Sequence, residues 1–347
     1  MPTKTRVLFC GHEFADGYRH TLERASQRYP HLEITVCDRL DVQHHIADAD
    51  VAVPLMTRLD AALIARGARG SLKLILQFGV GLEGIDIDAA TRERVRVARI
   101  PSEKTGNAVS TAEMACYLTL AARRRCNQMA DSVAERRLGT PTGAALLGSR
   151  VCIVGWGAIG RAVAVRLQAF GCALSAARAS TWAEDGVSDR CGVILDETCV
   201  TSDDEGYKRI LSRADVVCVC CTQDESNRGM IDATFLHSMK RGASLVNVAR
   251  GGLFNRQDVL DALNSGQLGY LASDVAWSEP VDPNDALVNH ANAYFTPHVG
   301  GVTHDSYKCM AEIVSRVGAA VADVEHMEHI DDWPMGVVET LDIQLVN

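Results

Sequence analysis

The stretch Val151-Cys152-Ile153-Val154-Gly155-Trp156-Gly157-Ala158-Ile159-Gly160 constrains this 347-residue chain more than any other. The apolar run Val151–Val154 reads as a buried strand that stops at a glycine. Beyond it, Ile159, Val163, Leu167 and Phe170 recur at helical spacing as far as Gly171, so a helix opens inside the G-x-G-x-x-G pattern. Each glycine has its own physical use. Gly155 permits the tight turn, Gly157 lets a ligand come close to the backbone, and Gly160 lets the helix lie against its strand. A helix beginning there aims its first amides, those of Ala158, Ile159 and Gly160, and the positive end of its dipole at an anion above the turn. The pattern predicts a parallel α/β sheet that holds the pyrophosphate of a dinucleotide.

Short apolar runs alternate with helical patterns along nearly the whole chain, as parallel sheets require. A first series of strands is expected at Arg6–Cys10, Leu32–Val36, Asp50–Pro54, Leu72–Gln77 and Val95–Arg99, with helices such as Tyr18–Tyr29 and Asp60–Ala68 between them. A second series is expected at Val151–Val154, Cys172–Ala177, Ala214–Cys221, Ala243–Val248, Tyr270–Val275 and Ala293–Thr296, enough for a complete dinucleotide-binding sheet. Val109–Cys126 reads as a helix between the two series, and His304–His329 as a helix after the second. Returning that last helix to the first series makes the first domain discontinuous. The expected fold is α/β with two Rossmann-like domains. A flavodoxin-like substrate domain takes residues 1–107 and 305–347, and a doubly wound dinucleotide-binding domain takes 108–304. Ser180–Arg209, polar and acidic, reads as a surface excursion.

A net charge of −9 argues against nucleic acid or a membrane surface as partner, because phosphate backbones call for a basic footprint. No leader or membrane-spanning run is read, and the expected location is cytoplasmic. Twelve cysteines are placed blandly. Cys218 and Cys221 form C-x-x-C, yet on a strand residues three apart face opposite ways, so buried thiols rather than metal ligands are expected. No metal is expected.

The second strand of a dinucleotide-binding sheet ends in an acidic residue when the cofactor is NAD, because that carboxylate accepts from the ribose 2′-hydroxyl. Here the chain reads Ala176-Ala177-Arg178-Ala179-Ser180-Thr181. A guanidinium at Arg178 pairs with a 2′-phosphate, and Ser180 adds a hydroxyl donor. NADP(H) is therefore the expected cofactor, with NAD(H) as the alternative.

Three further stretches carry chemistry: Asn247-Val248-Ala249-Arg250-Gly251-Gly252, Trp277-Ser278-Glu279-Pro280 and Thr296-Pro297-His298-Val299-Gly300-Gly301. Arg250 follows an apolar strand directly, where ligands gather in open α/β sheets, and it fits a carboxylate bidentately. His298 lies in a proline-glycine loop, and imidazole is the natural proton donor near neutrality. Glu279 is the expected partner, since a carboxylate beside an imidazole stabilises imidazolium. Cation, acid/base and dinucleotide together point to hydride transfer to or from a 2-keto or 2-hydroxy acid.

On these stretches, and on Leu72-Lys73-Leu74-Ile75, Gly79-Val80-Gly81-Leu82-Glu83-Gly84-Ile85-Asp86 and Thr111-Ala112-Glu113, the chain resembles the D-isomer-specific 2-hydroxyacid dehydrogenases. That family includes phosphoglycerate dehydrogenase, hydroxypyruvate/glyoxylate reductases and formate dehydrogenase. The likeness runs from about Leu72 to Met310 and more loosely beyond. It implies that Arg250 binds the substrate carboxylate and carbonyl, that His298 is the acid/base, and that Glu279 is its partner. It also implies that the amides of Gly79, Val80 and Gly81, with Met56 nearby, contact substrate. Asp274 would face the nicotinamide carboxamide, with Thr111, Thr222, Ala249 and Gly300 also lining the cofactor. Two departures stand out. Arg178 replaces an acidic residue, and Pro101–Asn107 is longer than the family's loop, so Glu103 and Lys104 are candidates to reshape substrate choice. The formate-oxidising branch carries glutamine where this chain has Glu279, which disfavours formate.

The expectation is an oxidoreductase that interconverts a small 2-keto acid and its (R)-2-hydroxy acid, of glyoxylate or hydroxypyruvate type, working as a homodimer. The rival reading is a dinucleotide-sensing regulatory protein, because the resembling corepressors keep the fold and the three residues yet act by binding partners. A third is an enzyme of the same fold acting on an unusual acid.

Overall fold

In a computed structural model, residues 4–182, 191–323 and 341–347 are described. The chain forms two compact units: Met1–Asn107 with Val302–Asn347, and Ala108–Gly301.

The first unit holds β1 (Thr5–Phe9), β2 (Leu32–Val36), β3 (Val51–Val53), β4 (Leu74–Gln77) and β5 (Arg96–Arg99). They pair in parallel in the order β5-β4-β3-β1-β2, the flavodoxin-like arrangement. The helix Ala15–Arg28 lies on this sheet beside the helix His304–Asp323, and Arg24 pairs with Glu312 between them. Met310, Ile313, Val314, Val317 and Val321 from the latter join Val7, Phe9, Ile34 and Val53 in one core cluster. Helical spacing put those five side chains on one face, and that face is buried. Positions 324–329 of the expected helix lie outside the described residues.

The second unit begins with the helix Asn107–Arg124 crossing its boundary. That helix ends two residues earlier than expected, because Arg125 adopts a left-handed conformation (φ 56°) and a new helix, Cys126–Ala134, starts beyond it. Its sheet contains β6 (Arg150–Val154), β7 (Ala173–Arg178), β8 (Glu197–Val200), β9 (Val216–Val219), β10 (Ala243–Asn247), β11 (Leu268–Ser273) and β12 (Ala293–Phe295). The order is β12-β11-β10-β9-β6-β7-β8, all parallel where paired. The winding reverses between β6 and β9, the switch point where ligands collect. Alternate residues feed opposite faces. Val151, Ile153, Val216 and Cys218 enter one core cluster, while Cys152, Val154, Val217 and Val219 enter the other. A strand buried on both sides reads as an unbroken apolar run, which is why β6 and β9 are conspicuous in sequence.

Two strands escaped that reading. β8 lies inside the supposed surface excursion. Among the described residues it pairs only with β7, at the sheet edge, so it carries Glu-Thr-Cys-Val rather than an apolar run. The excursion is corrected to an edge strand followed by the helix Asp204–Arg213, whose N-cap Asp203 accepts from the Gly206 amide. Residues 183–190 of it lie outside the described set. The other is β13 (Gln344–Leu345), which joins the first sheet antiparallel to β5.

Cys218 and Cys221 do fall in clusters on opposite faces. It is Cys220 that approaches Cys218, Sγ to Sγ at 3.7 Å, and all twelve thiols are free. Burial pushes the Cys221 thiol up to about 11. Among the described residues no cluster is arranged to hold a metal ion, and no helix is long and apolar enough to cross a membrane.

Leu245 sits fully buried at the middle of this sheet. Leu245→Ala is expected to lower the stability of the second unit by about 2–5 kcal/mol, read as a fall in the urea midpoint. A loss under about 0.5 kcal/mol, the scale of surface changes, would contradict the double-sided core.

Candidate active site

β6 runs into Gly155, whose φ of 101° excludes ordinary side chains. A Cβ there would also lie 2.4 Å from the Cys221 nitrogen. At Gly160 a Cβ would stand 2.0 Å from the Gly155 carbonyl oxygen, so helix and turn touch backbone to backbone. Gly157 differs, because a Cβ would meet nothing within 4 Å. Among the described residues no contact demands glycine at that position, and its open backbone leaves room for a ligand. Gly157 is the N-cap of the helix Ala158–Ala169 and supplies no side-chain cap. The amides of Ala158, Ile159 and Gly160 have no carbonyl one turn earlier to bond. The residues fit a dinucleotide pyrophosphate.

The Gly155 amide donates to the Ala177 carbonyl at 2.8 Å, which ties the turn to β7. β7 ends at Arg178, whose Nε donates to Ser180 Oγ at 2.8 Å while its guanidinium lies over the Trp182 ring. Thr222 stands just past β9 and its carbonyl accepts from Asn227 Nδ2 at 2.8 Å.

The other three residues come from loops beyond β10, β11 and β12. At the end of β10 the side chain of fully buried Asn247 folds back on the loop. Its Oδ1 accepts from the Ala249 amide at 2.9 Å and its Nδ2 donates to the Arg250 carbonyl at 2.9 Å. Arg250, half-buried, donates from Nη1 to the Ala249 carbonyl at 2.8 Å. Beyond β11, Glu279 Oε1 accepts from the Ala276 amide at 2.9 Å, and Oε2 lies 2.7 Å from His298 Nδ1. Beyond β12, His298 itself takes a left-handed backbone (φ 56°). Its amide donates to the Asp274 carbonyl at 2.8 Å.

Asp274 holds this last loop together. Its Oδ1 accepts from the Thr296 hydroxyl and the Val299 amide, at 2.6 and 2.9 Å, and its Oδ2 from the Gly300 amide at 2.7 Å. A Cβ on Gly300 would stand 2.7 Å from that Oδ2 and 3.5 Å from Thr111 Cγ2, so Gly300 packs against both the carboxylate and Thr111. Burial pushes Asp274 up from the ordinary carboxylate range, against the pull of those bonds and of His298. Burial also acts upward on Glu279. There the hydrogen bond and charge of His298, the Ala276 amide and the Arg250 cation outweigh it and hold the carboxyl below its ordinary value. The structure thus gathers Arg250, Glu279, His298 and Asp274 at one edge of the second sheet. The ring of His298 turns Nδ1 to a carboxylate.

The substrate candidates of the first unit gather at its own carboxyl edge. Gly79 (φ 132°) follows β4, and the Val80 carbonyl accepts from Arg99 Nη1 at 3.3 Å. Gln77 Nε2 donates to the Leu55 carbonyl at 3.1 Å, which joins the ends of β3 and β4. Leu55 has φ 54° and a buried side chain, and this turns Met56 outward. Lys104, a candidate for substrate choice, lies 3.1 Å from Asp342, and Thr105 is buried within its loop.

Asn247 and the hub role of Asp274 were missed by motif reading. An asparagine at a strand end before a glycine pair is the available signal for the first, since Asx side chains bond backbone two residues on. Nothing local marks the second, because its partners come from β12's loop.

The fold and these loops define a dinucleotide-binding α/β protein with an arginine, a histidine–glutamate pair and a buried aspartate at the strand ends. Residues 116–300 match the NAD-binding domain of the D-isomer-specific 2-hydroxyacid dehydrogenases, and the chain belongs to that family. The cofactor the family implies is a nicotinamide dinucleotide. D-3-phosphoglycerate dehydrogenase of Mycobacterium leprae is 33% identical over 292 residues, which is 82% of this chain and 50% of the relative. The chain spans about half the length of the curated relatives it matches. A crystal structure of a Thermus thermophilus protein superposes with a TM-score of 0.75 at 27% identity, covering 94% of this chain and 99% of its own. A glyoxylate reductase from Paecilomyes thermophila gives 0.74 at 24% identity, over 97% and 100% of the two chains, and shares the fold.

The depressed Glu279 sets a pH dependence. The folded carboxyl binds its proton less readily than the unfolded one, so its stabilisation is complete above the unfolded value of about 4.3 and is lost as pH falls through the folded value. Glu279→Gln should make the acid-side fall in stability shallower than in the wild type, followed by urea titration across that window. An identical slope would contradict the ion pair.

Proposed function

We propose that this chain interconverts a small 2-keto acid and its (R)-2-hydroxy acid with NADP(H), glyoxylate and hydroxypyruvate being the first substrates to assay. The observation that carries the reading is the 2.7 Å contact between Glu279 Oε2 and His298 Nδ1, beside a cation that acts on the same carboxylate. The nicotinamide, when bound, supplies the hydride to the carbonyl carbon in reduction and accepts it in oxidation.

His298 donates a proton to the carbonyl oxygen as negative charge develops there, and recovers it in the reverse direction. Glu279 fixes the ring through Nδ1, so Nε2 delivers the proton. Arg250 takes the substrate carboxylate and stabilises charge on the carbonyl oxygen. Asp274, besides shaping the loop, faces the nicotinamide carboxamide. Ala249, Thr222 and Gly300 border the cofactor, and Met56 with the Gly79, Val80 and Gly81 amides meets the substrate. The phosphate preference rests on Arg178, because a cation at the end of β7 pairs with a 2′-phosphate where a carboxylate would repel it. The working form is proposed to be a homodimer. D-3-phosphoglycerate is the second substrate to test, favoured by the name of the mycobacterial relative.

A screen of 2-keto acids at 340 nm, with NADPH and NADH in parallel, is expected to show NADPH-dependent reduction of at least one acid. Preference for NADH would remove the phosphate reading. Tight cofactor binding with no turnover would support the corepressor-like sensor instead.

His298→Ala should lower kcat by about 10²–10⁴-fold, the range for a lost general acid. Glu279→Gln should lower kcat for ketone reduction more than it changes the KM for NADPH, since the ring loses the carboxylate that orients it. An unchanged kcat would rule out the coupling.

A further inference from the structure

We infer that Trp182 is a positioning residue that aims the Arg178 guanidinium and thereby sets the discrimination between phosphorylated and unphosphorylated adenosine ribose. This rests on the NADP(H) reading and deepens it.

An arginine on a flexible stem recognises an anion poorly unless something holds its plane. Here the backbone is held first. Arg178 pairs with Val200 of β8, and its carbonyl accepts from the Thr201 amide at 2.8 Å. On the other side of β7, the Gly155 amide bonds the Ala177 carbonyl, so the residue is registered against the nucleotide turn itself. The side chain is held next. Nε donates to Ser180 Oγ at 2.8 Å, and the guanidinium carbon stands 5.2 Å from the centre of the Trp182 ring. Stacking uses the flat face of a guanidinium, whereas its N–H groups lie in the plane and donate from the rim. The indole therefore orients the cation without competing for the hydrogen bonds a phosphate requires.

Trp182 is itself fixed on two sides. Its Nε1 donates to the Cys199 carbonyl on β8 at 2.9 Å. Its ring lies 5.7 Å from that of Trp156, at 49°. Trp156 stands between the first two glycines of the nucleotide turn and is 4% exposed. An unbroken line of contact thus runs from the glycine turn through Trp156 and Trp182 to Arg178. The edge strand β8 is the buttress for both ends of the arginine, by backbone at Val200 and by indole at Cys199. That gives a purpose to a segment whose own sequence reads only as polar surface.

The test uses the full chain and two probes that differ by one group: adenosine 2′,5′-bisphosphate and 5′-AMP, with affinities measured by calorimetry. Trp182→Leu keeps apolar bulk without a π face, and Trp182→Phe keeps a face without the N–H. The wild type is expected to prefer the bisphosphate. Trp182→Leu should cut that preference about five-fold or more, the scale of a cation–π contact, while 5′-AMP affinity stays within about two-fold. Trp182→Phe should fall between, and the NADPH-to-NADH ratio of KM should follow the same ranking. If Trp182→Leu keeps the wild-type preference, or weakens both probes equally, Trp182 only packs and the inference is overturned. A wild type that binds both probes alike overturns the NADP(H) reading, and this one with it.

Discussion

His298 occupies a left-handed backbone conformation that a non-glycine residue adopts at a cost of order 1–3 kcal/mol, and the surrounding structure must impose it. Asp274 is what imposes it. Its carbonyl takes the His298 amide, and its carboxylate takes the Thr296 hydroxyl and the amides of Val299 and Gly300. A carboxylate so buried is costly unless its lone pairs are satisfied, and here the loop after β12 satisfies them. The same bonds that keep Asp274 tolerable inside the protein set the direction of the imidazole. Everything at the site follows from that exchange, since a histidine pointing elsewhere would leave Glu279 without its partner.

Close backbone contact brings the remaining groups into place. A Cβ on Gly251 would lie 1.9 Å from the Ala276 carbonyl oxygen, so the loops after β10 and β11 are pressed together where Arg250 and Glu279 arise. Asn247 curls the first of these loops onto itself, with both ends of its amide used. Parallel strands bring their carboxyl ends to one edge of the sheet. Residues scattered between 155 and 300 therefore meet because of winding order, and their charges tune one another. The His298 ring, with the Ala276 amide and the Arg250 cation, overcomes the burial that would otherwise raise Glu279.

Much of this was legible in the chain. The run Val151–Val154 and the spacing of its glycines announce a buried strand, a turn and a helix, because each rests on local sterics or on burial of both faces. Likewise Pro297-His298-Val299-Gly300-Gly301 marks an unusual loop through residue types alone. What stayed hidden depends on partners distant in sequence. β8 is half-polar, since an edge strand has one neighbour and one open side, and nothing in Glu-Thr-Cys-Val distinguishes it from loop. Asp274 looks like any strand-end aspartate until the chain after β12 arrives. Arg125 breaks its helix by a backbone conformation that its side chain does not advertise. Trp182 reads as an isolated aromatic in a polar stretch, and only β8 shows what it rests on.

The account turns on which nitrogen of His298 faces the carboxylate, and nitrogen-15 NMR of the histidine ring measures that directly. In the neutral ring the hydrogen should reside on Nδ1, shared with Glu279, with Nε2 the bare nitrogen that exchanges protons with substrate. A ring carrying its hydrogen on Nε2, with Nδ1 unprotonated, would contradict the pairing from which the proposed chemistry is built.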